Sequence, residues 1–178
     1  MSDAALPAFD DEVVRAMARW PDVPRCFGWL ELDRRGQWRI RGEVIGHARA
    51  VAFLGRHYRA DAAGRWYVQN GPQQVFVSLE YTPWVLRYDA GRLCTHTGLD
   101  ARAPRAVCLD DEGNVLLDTP LGVGLLDDRD LAAFDALIEY TGETPATLAW
   151  PGGPRLVFET LARAAAAARF GFVAVPAA

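Results

Sequence analysis

Glu80-Tyr81-Thr82-Pro83-Trp84 is the stretch whose residue types best suit chemistry, because an alternating strand pattern ends there and the chain must bend at a proline. A small-molecule site needs apolar walls and a few oriented polar groups. Tyr81 and Trp84 can supply the walls. Glu80, with Asn70 and Gln74 from the nearby turn, can supply the polar groups, and Arg56 on the preceding helix can meet an anion. The competing structural reading is a kinked strand whose aromatics pack into the core. A catalytic alternative also stands: Glu80 and His57 as the acid-base pair of a hydrolase or transferase, which requires both side chains in one pocket.

Other candidates carry less. Cys94 and His96 share a strand face, but two soft ligands without a third do not close a metal site, so no metal is expected. No nucleophile elbow, Walker or dinucleotide pattern occurs, and Gly122-Val123-Gly124 is too short to cradle a phosphate, so no cofactor and no catalytic residue is assigned. The acids Asp127, Asp128 and Asp130 open a helical pattern, where carboxylates cap free amides. Arg34, Arg35, Arg39 and Arg41 with Trp38 form a basic, aromatic hairpin suited either to an anionic partner or to a solvated charged face.

All 19 basic residues are Arg, yet the net charge is −4, which argues against general binding to nucleic acid. The three Cys residues form no Cys-x-x-Cys pair and imply no disulfide framework. The N-terminus lacks a signal-peptide pattern and no apolar run is long enough to span a bilayer, so the expectation is a cytoplasmic protein with no membrane partner. Nothing in the pattern sets the oligomeric state.

The elements that must position these residues read as α+β. Asp10–Trp20 spaces Val13, Val14, Met17 and Trp20 along one face of an N-terminal amphipathic helix, with Asp10 or Asp11 as its cap. Gly28–Asp33 and Gln37–Arg41 form a hairpin, and His47–Tyr58 forms a helix. Strands follow at Trp66–Gln69, Gln74–Glu80, Trp84–Tyr88 and Arg92–His96. The order then returns. Leu32-Asp33-Arg34-Arg35-Gly36 is echoed by Leu109-Asp110-Asp111-Glu112-Gly113, the first helix by Asp128–Tyr140, and Gly71-Pro72 with its strand by Gly153-Pro154. An alanine-rich helix over Ala164–Ala168 precedes an extended Arg169–Val173.

This predicts duplicated hairpin-helix-strand units with mostly antiparallel sheets: an N-terminal helix and linker over 1–26, a first repeat over 27–98 and a second over 99–178. The second unit lacks the acid and aromatics of the Glu80–Trp84 stretch, which concentrates any site in the first.

Trp38, Gly42-Glu43-Val44-Ile45, Val51 and Phe53, Asp61, Gly64, Tyr67, Val75, Val77 and Glu80-Tyr81-Thr82-Pro83-Trp84 together resemble the bacterial domain-of-unknown-function family numbered twelve eighty-five. The chain departs from that pattern at Val44, at Gly71-Pro72 and at Tyr81, which places it in a separate, related uncharacterised proteobacterial family. The resemblance implies repeated α+β motifs and a role in signal transduction or ligand sensing, and it brings no catalytic residues. The combined expectation is a non-catalytic regulatory module that binds a small anionic ligand or a protein partner.

Overall fold

The computed structural model describes residues 6–178, so Met1–Ala5, the start of the N-terminal segment, lie outside the described residues. It shows a mixed α+β chain with short helices and two mostly antiparallel sheets. The chain divides into two compact units, one reaching Pro83 and taking in Gly171–Ala178, the other spanning Trp84–Phe170.

The first unit begins with α1 (Asp11–Arg19). Asp10 sits at the N-cap position but its side chain makes no capping hydrogen bond; Val13 is buried, while Val14 and Trp20 face outward. Then come β1 (Cys26–Leu32), β2 (Trp38–Ile40), β3 (Glu43–Val44), α2 (Ala48–Arg56), β4 (Tyr58–Ala60), β5 (Trp66–Asn70) and β6 (Gln73–Leu79). Their sheet runs β3-β2-β1-β6-β5-β4, antiparallel throughout except where β1 and β6 lie parallel. Trp38 is buried edge-on to Tyr58, with ring centroids 5.1 Å apart, and Tyr58 leans on Trp66 at 4.7 Å. Ile40, on the same strand face as Trp38 by alternation, is nevertheless 47% exposed.

The second unit contains β7 (Trp84–Asp89), β8 (Arg92–Thr95), β9 (Ala106–Asp110), β10 (Val115–Thr119), β11 (Gly122–Leu126), a 3-10 turn at Asp128–Asp130, α3 (Leu131–Asp135), β12 (Ile138–Thr141), β13 (Thr144–Ala149), β14 (Arg155–Leu161) and α4 (Ala166–Phe170). Its sheet runs β12-β13-β14-β9-β10-β11-β7-β8, with β9 parallel to β14 and β11 parallel to β7. The hairpin β7-β8, which the sequence reading attaches to the first repeat, extends this sheet instead.

Both helices that follow a hairpin end sooner than their periodicity suggests. The helix expected to reach Tyr58 stops at Arg56, because His57 closes it and buried Tyr58 pairs with Val68. The helix expected over Asp128–Tyr140 is a 3-10 turn plus five α-helical residues, and Ile138–Thr141, rich in β-branched and aromatic residues, pairs with β13. At the other end, Arg169 and Phe170 continue α4 rather than extend, and Gly171 at φ 67° then turns the chain so that Val173 bridges to Arg65.

Candidate functional site

In the first unit, α2 places Ala50, Phe53 and Leu54 on one face by their i, i+3, i+4 spacing. His47 starts the helix by accepting a hydrogen bond from the Ala50 N–H at 3.4 Å. That face does not close down on the sheet. Between it and Leu30, Val68 and Val75 lies a cavity of about 410 Å³, within the range of small-molecule sites. A bulge opens this space: the register between β1 and β6 shifts between Cys26 and Leu30, where Gly28 takes φ 73° and redirects the neighbouring side chains. Trp29 and Ile40, each 47% exposed, form the mouth. Among the described residues lining the cavity none carries a fixed charge, and its polar groups are the Asn70 amide and the Cys26 thiol.

His57 stands behind the cavity wall, its ring 4.3 Å from that of Phe53, and it is fully buried. Its Nε2 accepts the Asp10 N–H at 3.2 Å and its Nδ1 lies 2.9 Å from the Phe53 carbonyl, a pairing that fits the neutral ring protonated at Nδ1. The Asp10 carboxylate accepts from Arg56 at 3.2 Å, which holds its pKa below the usual value.

The six residues of the anticipated site are therefore spread out. Asn70 and Gln74 flank the β5-β6 turn, and Asn70 reaches the cavity. Glu80 lies past the opposite end of β6, about 20 Å away at the usual rise per strand residue. There it accepts the Arg34 N–H at 3.0 Å beside a second depression of about 360 Å³ shared with Asp33 and Arg39. Tyr81 and Trp84 are buried, Trp84 at the start of β7 donating its Nε1–H to the Leu121 carbonyl at 2.8 Å. Arg56 is already paired with Asp10. The acid-base alternative fails on the same geometry. His57 follows the rung Gln69–Gln74 through the bond from Gln69 N–H to its carbonyl, so it sits at the end of the sheet away from Glu80.

Trp29, Ile40, Phe53 and Leu54 were not named as site residues from the sequence. The signal that could have found them is a glycine between two aromatics inside a strand, which marks a bulge. Of the acid run, Asp127 caps as expected, accepting the Arg129 N–H at 2.9 Å, whereas Asp130 makes no capping bond and accepts instead from Arg87 and the Tyr88 N–H. No helix among the described residues is long and apolar enough to cross a membrane.

A family model described as "Protein of unknown function (DUF2946)" matches residues 9–177. The fold is similar to the crystal structure of a DUF1285 family protein from Silicibacter pomeroyi DSS-3, with a TM-score of 0.57 and 16% identity over 79% of this chain and 85% of that one. A DUF1285 family protein from Shewanella baltica OS155 also aligns, with a TM-score of 0.47 and 15% identity over 60% of this chain and 90% of that one. No curated protein matches the sequence. The resemblance read from Trp38 to Trp84 thus finds its counterpart in the fold of the Silicibacter protein.

Proposed function

We propose, on the premise that the chain belongs to the family of proteins of unknown function (DUF2946), that it is a non-catalytic binding module whose ligand enters the cavity beneath α2. The observation that carries this reading is an open cavity of about 410 Å³ with an almost wholly apolar lining. Such a wall gains free energy by excluding water from a small apolar molecule, whereas the side chains there supply no acid-base pair. Binding without turnover suits a regulatory or signal-transduction module.

The same reading takes the two sheets as copies of one unit. In support, hairpin, third strand, helix and three further strands recur in order, and the first and last strand of each set lie parallel. The copies differ where function is proposed: Phe134 of the shorter α3 is fully buried edge-on to Tyr88, whereas Phe53 of α2 faces the cavity. Superposing β1–β6 on β9–β14 tests this, and helices falling on opposite faces of their sheets would refute it.

Titration with N-phenyl-1-naphthylamine, a neutral dye that brightens in apolar surroundings, tests the cavity. Wild type is expected to bind it, and Ala50→Trp, which fills the space from α2, to lose binding while keeping its melting temperature within a few degrees. Absence of binding by wild type, or equal binding by a folded Ala50→Trp, overturns the reading.

A further inference from the structure

We infer that the ligand of this cavity is an alkyl carboxylate whose chain lies under α2 and whose head is held by Arg41; the inference rests on the cavity being a ligand site. Arg41 is not itself a lining residue; it follows Ile40 in the chain and lies over Trp29. Its guanidinium carbon is 3.7 Å from the ring centroid of Trp29, itself part of the cavity wall and half-exposed. Stacking on the indole leaves the in-plane N–H groups of the guanidinium directed outward, in the fork that matches a carboxylate.

The backbone fixes this placement. Ile40 pairs with Glu43 across a two-residue turn in which Arg41 has φ 50° and Gly42 φ 83°, the positive-φ pair of a type I′ hairpin. Asn-Gly is the favoured sequence there, and a long side chain in the left-handed region is disfavoured. The chain nevertheless carries Arg. Ala90 takes the same conformation before Gly91 in the β7-β8 turn, so the backbone places the Arg41 side chain without by itself marking a site. The Arg41 side chain meets no carboxylate among the described residues, as is also true of Arg25, Arg49 and Arg59, whereas Arg39, Arg56 and Arg65 are held by Asp33, Asp10 and Asp61; what sets Arg41 apart is its contact with the cavity wall at Trp29. A cation at the rim of an uncharged apolar cavity is complementary to an anionic amphiphile. A neutral hydrocarbon would use the cavity without the Arg.

The test uses the full chain and competition against N-phenyl-1-naphthylamine, with octanoate, decanoate, dodecanoate, 1-dodecanol and dodecylphosphonate below their aggregation concentrations. Affinity for the carboxylates is expected to rise about fourfold per added methylene until the cavity is filled. Dodecanoate should bind wild type about tenfold more tightly than 1-dodecanol, the difference made by a charged hydrogen-bonded pair. Arg41→Asn, which suits the turn and should fold at least as well as wild type, is expected to abolish that preference and leave 1-dodecanol unchanged. Equal binding of acid and alcohol by wild type, or a preference that survives Arg41→Asn, overturns the carboxylate assignment while leaving the cavity reading intact. Tighter binding of dodecylphosphonate by more than tenfold also overturns it in favour of a phosphate-type head. Failure of the dye and of every amphiphile to bind instead removes the underlying cavity reading.

Discussion

A Cβ placed on Gly64 would lie 2.2 Å from the carbonyl oxygen of Gly171. This close approach lets the final residues return to the first unit, where Val173 N–H donates to the Gly64 carbonyl at 2.9 Å and Leu79 N–H donates to Ala174 at 2.7 Å. Gly64 also takes φ 76°, so a side chain is opposed by both backbone conformation and contact. Gly64→Ala is expected to cost about 3 kcal/mol or more in urea unfolding. Gly42→Ala, at φ 83° but with open space around the new atom, should cost about 1–2 kcal/mol. Equal losses would show that the Gly171 contact yields without cost.

Acid stability depends on two paired carboxylates. Asp130 accepts from both Nε and Nη2 of Arg87, at 2.6 and 3.0 Å, and from the Tyr88 N–H. The Arg87 hydrogen bond holds its pKa below the usual value; for Asp127, burial works upward but the Arg129 hydrogen bonds outweigh it, and the pKa is again lowered. A carboxyl depressed on folding stabilises the native state above its unfolded pKa, and that contribution disappears as pH falls through the folded value. Stability should therefore hold from neutral pH to about pH 4 and decline below it. Asp130→Asn should flatten the acid limb and cost about 1–2 kcal/mol at neutral pH, limited by the partial exposure of Arg87. An unchanged acid limb in Asp130→Asn would show that the carboxyl titrates alike in both states.

Hairpins were the most legible part of this chain, because Asp-x-x-Gly and Asn-Gly turns announce themselves locally. Strands whose identity depends on a distant partner were not. Gly122–Leu126 is assigned no element from the sequence, yet it is a strand between β10 and β7. Its Gly124 has no room for a Cβ, which would lie 2.6 Å from Leu86. Tyr58 and Ile138 continue a helical period and are claimed by sheet pairing instead. The site was harder. Glu80–Trp84 has the composition of a pocket, but Tyr81 and Trp84 turn into the core, and the space that does open depends on the Gly28 bulge and on where α2 settles over the sheet.

Tyr58 provides a test at the alkaline end. Its hydroxyl donates to the Pro83 carbonyl at 2.9 Å, and burial pushes its pKa well above the ordinary value of 10.0. The unfolded chain loses this proton first, so stability should fall as pH rises above about 10, the native state keeping Tyr58 protonated. Tyr58→Phe should remove that contribution to the slope. At neutral pH it should cost about 1–3 kcal/mol, since the Pro83 carbonyl loses its donor. Native-state titration of Tyr58 near the ordinary value, followed by tyrosinate absorbance in wild type and Tyr58→Phe, would contradict this.

The last prediction separates turn chemistry from ancestry in the Leu-Asp-x-x-Gly echo. Asp33 accepts from Arg35 N–H at 3.0 Å and Gln37 N–H at 2.8 Å, and Asp110 from Glu112 N–H at 2.9 Å and Asn114 N–H at 2.7 Å. Asp61, outside the echoed pair, does the same with Ala63 and Arg65, at 2.9 and 3.0 Å. Each turn closes on a glycine of positive φ: Gly36 at 74°, Gly64 at 76° and Gly113 at 81°. One carboxylate oxygen satisfying two turn amides is therefore a local solution that this chain uses outside the echoed pair as well, and the case for duplication rests on strand order more than on this motif. Replacing each Asp by Ala leaves two amides without that acceptor and should cost about 2 kcal/mol at neutral pH, most at Asp110, which is buried and also binds the Asn114 amide at 2.8 Å. Asp-to-Asn changes keep a carbonyl acceptor and should recover roughly half the loss at each position. Urea unfolding of the six variants decides it: comparable losses at Asp33, Asp61 and Asp110 make the motif a turn device, and a negligible loss at Asp61 alone would return weight to the echo as a relic of duplication.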